Sequence, residues 1–240
     1  MILKRFTGQP NWEWLEKITD SKDNSLNLNL LNSKKFSFEE PSYLSNQYKE
    51  KISKINNALI NETVLLVNRI SNQDLSANII IHPHFLKIYN NKWYLFGHVP
   101  KSDIIPYVIP IDKNINSIKE INSNYISTTI NYEEPIDGGE SFFDSIIGVT
   151  NFLNKNPENI KLRVHNYQMF KRIDSNPPHF SYTLEYQCDN NNYFDFSITV
   201  KENPELYKYL LSNCNFLEVL SPLKIRNNLL DKIKSAAKYY

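Results

Sequence analysis

The chain has 240 residues, 41% of them hydrophobic and 22% charged, with a formal net charge of +1. This is enough apolar material for one large or two small globular domains, and it excludes a disordered chain. The balanced charge gives no global electrostatic footprint for a nucleic acid, although a neutral total is compatible with one basic face. Two cysteines, Cys188 and Cys214, stand far apart and outside any secretory pattern. They read as free thiols in a cytoplasmic protein, which excludes a disulfide framework and a cysteine zinc site. The N-terminus MILKRFTGQPNWEWLEKI lacks the apolar core of a signal peptide, and no run of about 18 apolar residues occurs, so no membrane span is expected.

In chain order, Asn11 to Ile18 predicts a short helix, with Asn11 as N-cap and Trp12, Leu15 and Ile18 on one face. A polar stretch, Thr19 to Asn29, precedes a short strand at Lys35 to Phe38. Ser45 to Asn61 then carries Tyr48, Ile52, Ile55 and Leu59 at amphipathic-helix spacing. From Glu62 the periodicity becomes that of strands: Thr63 to Arg69, Ile79 to Ile88, Lys92 to His98, Tyr107 to Ile111 and Ile115 to Ile121. Short strands packed this densely predict a small antiparallel barrel.

Within that group, the run IIIHPHFLKIYNNKWYLFG from Ile79 to Gly97 holds two strands flanking Asn90-Asn91, which can supply the positive φ of a tight turn. Alternation puts Trp93 and Leu95 on one face, Tyr94 and Phe96 on the other. Both faces are apolar, so this strand should be covered on both sides.

Tyr132 to Thr150 contains Glu133, Glu134, Asp137, Glu140 and Asp144, no basic residue, and Gly138-Gly139. It reads as an interdomain connector. Beyond it come a strand (Ile160 to His165), a helix (Tyr167 to Ile173), two strands (Phe180 to Cys188, Tyr193 to Lys201), a helix (Pro204 to Asn213) and a strand (Leu217 to Ser221). That β-α-β-β-α-β order predicts a ferredoxin-like sandwich, with two helices on one face of an antiparallel sheet. A last helix from Leu223 to Tyr240 closes the chain.

Several segments together resemble the WYL-domain family, in a form frequent in Bacteroidota. They are FTGQPNWEWLEKI from Phe6, FSFEEPSYLSNQYKEKISKINNALIN from Phe36, HPHFLKIYNNKWYLFG, FFDSIIGVT from Phe142 and EVLSPLKIRNNLLDKIKSAAKYY at the end. The resemblance implies an α+β protein with a helical lead-in (1–61), an Sm-like or SH3-like barrel (62–130), a connector (131–157) and a ferredoxin-like extension of the kind called WCX (158–240). It also implies transcription regulation, often tied to stress or phage defence, and a homodimer. Members usually begin with a winged helix-turn-helix. Here the first 60 residues show no helix pair joined by a tight turn and no basic recognition helix. The chain therefore reads as a sensor without its own winged helix, by nature or through a truncated gene start, with a helix-turn-helix regulator as an expected partner.

The family's ligand site uses the His of an HP dipeptide, the WYL strand and an Asp-Arg pair. His82-Pro83 and Trp93-Tyr94-Leu95 match, while the pair is Asp112-Lys113. Lysine keeps the charge but loses the planar fork that grips phosphate. The expected effector-binding residues are His82, Lys92, Trp93, Tyr94, Asp112 and Lys113, and the expected effector is a nucleotide or single-stranded nucleic acid. In the extension, NPPHFSY resembles a family turn through His179 and Ser181.

The remaining chemistry has bland readings. His82 and His84 could share a strand face as a metal pair, but no third ligand lies nearby, so neither metal nor cofactor is expected. Glu133-Glu134 reads as a solvated linker rather than an acid/base pair, and Asp137-Gly138-Gly139-Glu140 as a turn without the lysine of a phosphate loop. No GxSxG, HExxH, GxxxxGK[ST] or CxxC motif occurs, so no enzyme is expected. Lys161, Arg163, Lys171 and Arg172, interleaved with Tyr167 and Phe170, together with His179, form a candidate nucleic-acid contact. The last helix adds Lys224, Arg226, Lys232, Lys234 and Lys238, which a solvated helix face explains equally well. The alternative function is a ligand-free dimerisation module that modulates a full-length regulator.

Overall fold

The structure, a computed structural model, describes residues 46–70, 76–90, 92–100, 102–132, 141–188 and 193–240. The helix at Asn11 to Ile18, the strand at Lys35 to Phe38 and the acidic residues 133–140 lie outside the described residues. The chain divides into Met1–Ser42 and Tyr43–Tyr240, and everything below belongs to the second unit.

Its elements are α1 (Asn46–Asn61), β1 (Val64–Ile70), β2 (Ser76–Tyr89), β3 (Lys92–His98), β4 (Tyr107–Ile111), β5 (Ile115–Ile121), β6 (Glu158–Val164), α2 (Tyr167–Ser175), β7 (Thr183–Gln187), β8 (Phe194–Val200), α3 (Pro204–Ser212), β9 (Leu217–Ser221) and α4 (Leu223–Ala237). This is an α+β fold with two antiparallel sheets, of order β4-β3-β2-β1-β5 and β7-β8-β6-β9. No described helix is long and apolar enough to cross a membrane.

The first sheet is built around β2. Its first half pairs with β1, Ile81 opposite Leu65, and its second half with β3, Leu86 opposite Leu95. The change comes at Pro83, which has no N–H for a ladder, and the register shifts between Pro83 and Phe85. Gly97 stands opposite Pro83, and a Cβ there would run into the His82 carbonyl and the Ile81 side chain. Only glycine lets the two backbones approach this closely. The closed barrel expected from the sequence is not formed as a ladder: β4 and β5 are the two edges of an open sheet, joined by the turn at 112–114. Pro110 inside β4 removes a donor from that edge, which suits an edge strand.

One face of this sheet packs on α1, where Ile55 and Ala58 meet Leu65, Val67, Ile81, Leu95, Ile109, Ile111, Ile115 and Ile118. The other face holds an aromatic core of Phe96, Tyr132, Phe142, Ile146 and Val149, flanked by Phe85, Tyr89, Tyr94 and Phe143. The double coverage read from the alternation of Trp93 to Phe96 is therefore present, and Leu95 and Phe96 are both fully buried.

The second cover comes from the segment read as an interdomain connector. Its described part, 141–150, is largely buried. Ile146 belongs to the first core and Ile147 to the second. In the second core Ile160, Leu162, Val164, Phe194, Phe196, Ile198 and Val200 pack under α2, α3 and α4, with Phe170 and Phe194 stacked at 3.9 Å. Asn203 caps α3 through Leu206 N–H (2.8 Å), and its amide donates to the Ile147 and Thr150 carbonyls (2.8 and 2.9 Å). One side chain thus closes a helix and holds the connector against it.

Candidate functional site

The six predicted effector residues do not gather at one place. Asn90 takes the positive φ expected of the hairpin turn, and Lys92 is exposed beside it. Trp93 lies opposite Ile88 and Ile111 and packs toward the α1 core, which puts Asp112 at the same end of the sheet. Asp112 accepts from Asn114 N–H at 2.9 Å and pairs with Arg69 of β1 at 3.3 Å. The guanidinium beside this aspartate therefore comes from another strand, and Lys113 is exposed. Tyr94 points to the aromatic face.

His82 sits at the far end of the hairpin, opposite His98. It is six positions along β2 from Ile88, about 20 Å at strand spacing. It is 2% exposed, and its Nδ1 accepts from the Ile126 N–H at 3.0 Å. His84 Nε2 meets the Ile126 carbonyl at 2.8 Å, and the Tyr125 hydroxyl donates to the Pro83 carbonyl at 2.5 Å. These residues fasten the extended segment after β5 across the sheet. Burial, then the neighbouring imidazoles, pushes the His82 pKa down, which suits a nitrogen that must stay an acceptor.

The predicted nucleic-acid residues also separate. Lys161 pairs with Glu185 at 2.8 Å, and Arg163 grips Asp195 through two bonds of 2.7 and 2.8 Å while lying 4.0 Å over the Tyr193 ring. Both alternate with Ile160, Leu162 and Val164, so they face away from the helices. Lys171 and Arg172 are exposed on α2, on the helical side. His179 is buried, with its Nδ1 meeting the Ser181 hydroxyl (2.7 Å) and accepting from the Ser181 N–H (3.2 Å).

What the structure does bring together is a set of polar groups against the aromatic face. Lys87 stands between Phe85 and Tyr89 on β2, directly opposite Tyr94. Its ammonium lies 3.5 Å from the centre of the Phe143 ring. Burial brings its pKa down to about 8, although Glu205 and Asp144 act in the opposite direction. Glu205 occupies the first turn of α3, where the helix dipole favours a carboxylate. Its Oε1 accepts from Thr150 at 2.9 Å, and its Oε2 is buried with no hydrogen-bond partner. Gly148, at φ +86°, is the residue against it: a Cβ there would come within 2.5 Å of the Glu205 Cγ. His179 is held to the same connector by a backbone hydrogen bond with Asp144, and burial pushes its pKa down.

Alternation alone marks Lys87 as a charge on an apolar strand face, so it could have been found from the sequence. Its partners could not, because they come from the connector and from the far domain. Next to this junction lies a contrasting cluster. Glu202, 8% exposed, accepts from Tyr207 (2.7 Å), Lys224 (2.7 Å) and Asn228 (3.0 Å), with Lys155 at 3.5 Å. The Lys224 contact above all brings its pKa down to about 2.

No family model matches the chain, and no curated protein matches it. Among solved structures, it is similar to the proteasome accessory factor B/C (PafBC) of Arthrobacter aurescens, at 14% identity and a TM-score of 0.33, over 82% of this chain and 28% of that one. It is also similar to a CRISPR Cas-related protein, at 12% identity and a TM-score of 0.44, over 80% of this chain and 52% of that one. The chain thus spans about a quarter and about half of the two, and both likenesses are too distant to establish a shared fold or function.

Proposed function

We propose that this chain is a non-catalytic, WYL-type sensor in transcription regulation, binding a nucleotide or a single-stranded nucleic acid. In this reading the open five-stranded sheet is the Sm-like unit and the second sheet the ferredoxin-like extension. The strand order β7-β8-β6-β9 supports the latter, because it interleaves two β-α-β units. The observation that carries the functional reading concerns the middle residue of the Trp93-Tyr94-Leu95 tripeptide. Tyr94 stands opposite the half-buried Lys87, whose ammonium lies over the Phe143 ring. A cation drawn partly out of water among aromatic rings is the kind of group that an aromatic or anionic ligand engages.

The effector enters where the connector crosses the sheet, and its occupancy is felt by both cores. Filter binding of the full chain to short single-stranded DNA and RNA, at about 50 and about 200 mM salt, tests this reading. Retention at the lower salt that weakens at the higher is expected. Absence of retention at the lower salt would overturn it.

A further inference from the structure

The segment after β5, residues 122–131, runs as a strap over the first sheet and leads straight into Tyr132 of the aromatic core. It is mostly exposed, and three hydrogen bonds from two adjacent residues hold it to β2. The Tyr125 hydroxyl donates to the Pro83 carbonyl, while the backbone of Ile126 is gripped by two imidazoles. Its N–H donates to His82 Nδ1 at 3.0 Å, and its carbonyl meets His84 Nε2 at 2.8 Å.

These two contacts make opposite demands on the proton. A carbonyl only accepts, so His84 Nε2 must carry a hydrogen, and it does so in the neutral Nε2–H tautomer and in the imidazolium alike. An amide N–H only donates, so His82 Nδ1 must offer a lone pair, which the imidazolium lacks. A proton on His82 would set two N–H donors against each other, on a side chain that is 2% exposed. The strap therefore docks over a neutral His82 only.

We infer that His82 is a proton-operated latch: when its Nδ1 takes a proton from solvent, the Ile126 N–H loses its acceptor and the strap 122–131 is released from β2. Among the described residues, the titratable groups facing His82 are His84 on its own strand, His98 across the ladder on β3 with ring centres 5.6 Å apart, and Tyr125 on the strap at 6.0 Å. Glu62, between α1 and β1, acts on Tyr125. The other two imidazoles become cations over the same range and oppose a proton on His82 while the strap is closed. Burial first, then His98 and His84, holds the His82 pKa below its ordinary 6.5, and burial does the same to His84. Once released, the rings return to that ordinary value, so the open strap binds more protons and is increasingly favoured as the pH falls below 6.5. Above it the latch is closed. The device needs no effector, so it stands or falls apart from the sensor reading.

Hydrogen–deuterium exchange of the full chain, read by mass spectrometry at about pH 7.5 and about pH 5 and corrected for the intrinsic pH dependence of exchange, provides the test. Peptides spanning 122–131 should exchange at least about tenfold faster at the lower pH, while those of α1 and β8 stay protected. His82→Asn keeps an acceptor oxygen near the place of Nδ1 but takes up no proton, so it should abolish the response. His84→Gln keeps the donor and should retain it, and loss of the response there would assign it to His84 and overturn the latch. An equal response in the unaltered chain and in His82→Asn also overturns it. So does equal strap protection at the two pH values, and so does a loss of protection spread evenly over α1 and β8, which is acid unfolding of the whole chain. Where His82→Asn fails to fold, nitrogen NMR of the unaltered chain decides. His82 must be the Nε2–H tautomer at the higher pH and must titrate together with strap exchange. The Nδ1–H tautomer, or a titration that leaves the strap protected, overturns the latch.

Discussion

Glu202 and Lys87 are both charged side chains drawn out of water next to the same helix, yet their surroundings are opposite. Glu202 precedes α3 and meets a hydroxyl, an amide and two ammonium groups. Lys87 meets an aromatic ring, with Glu205 and Asp144 acting only through space. The first cluster is saturated and ties α4 to α3, which is architecture. In the second, Lys87 rests on a ring and Glu205 Oε2 has no hydrogen-bond partner, so it does less to hold the fold together.

The largest effect that would break this contrast is expected at Glu202. Glu202→Ala should cost about 3 kcal/mol in urea unfolding, because a charged acceptor is removed from several donors at once. The carboxylate is held near pH 2, below its ordinary 4.5, so its contribution is full above pH 4.5 and is lost as the pH falls toward 2. A loss below about 0.5 kcal/mol would show that the knot is not structural.

Lys87→Met should act in the other direction, stabilising the chain by about 1–2 kcal/mol at pH 7 by removing a partly desolvated cation. The folded-state pKa of Lys87, about 8, is below its ordinary 10.5, so the unfolded chain binds more protons between these values. Wild-type stability should therefore rise with pH across that window, and the difference from Lys87→Met should shrink. Destabilisation by Lys87→Met would mean that the lysine has a strong partner in solution. The smallest effect, about 0.5 kcal/mol, is expected for Thr150→Val, which removes the one hydrogen bond to Glu205. A much larger loss would place Glu205 with the saturated cluster.

The two clusters also differ in how they could be read from the chain. The strands and helices were legible because they rest on local period: β3, β4, β5 and β9 begin and end where the alternation does. The double cover on Trp93 to Phe96 follows from the same pattern. The open sheet does not, because closure depends on how β4 and β5 approach each other and not on either sequence. Lys87 was visible as a charge among Phe85, Ile88 and Tyr89, but the motif drew attention to His82 instead. The role of His82 was decided by Ile126, in a segment with no period of its own. Acidic composition marks the connector but not its packing, which Phe142, Ile146, Ile147 and Val149 decide in the described part.

β2 gives the hairpin a property beyond its own pairing. A single strand lies first beside β1 and then, past Pro83, beside β3. The backbone carrying Lys87 therefore continues without a loop into the backbone carrying Ile81, at the heart of the α1 core. No loop separates the residues at the aromatic face from those in the α1 core, since both lie on this one strand. One strand thus contributes side chains to both cores, Ile81 to one and Phe85 to the other.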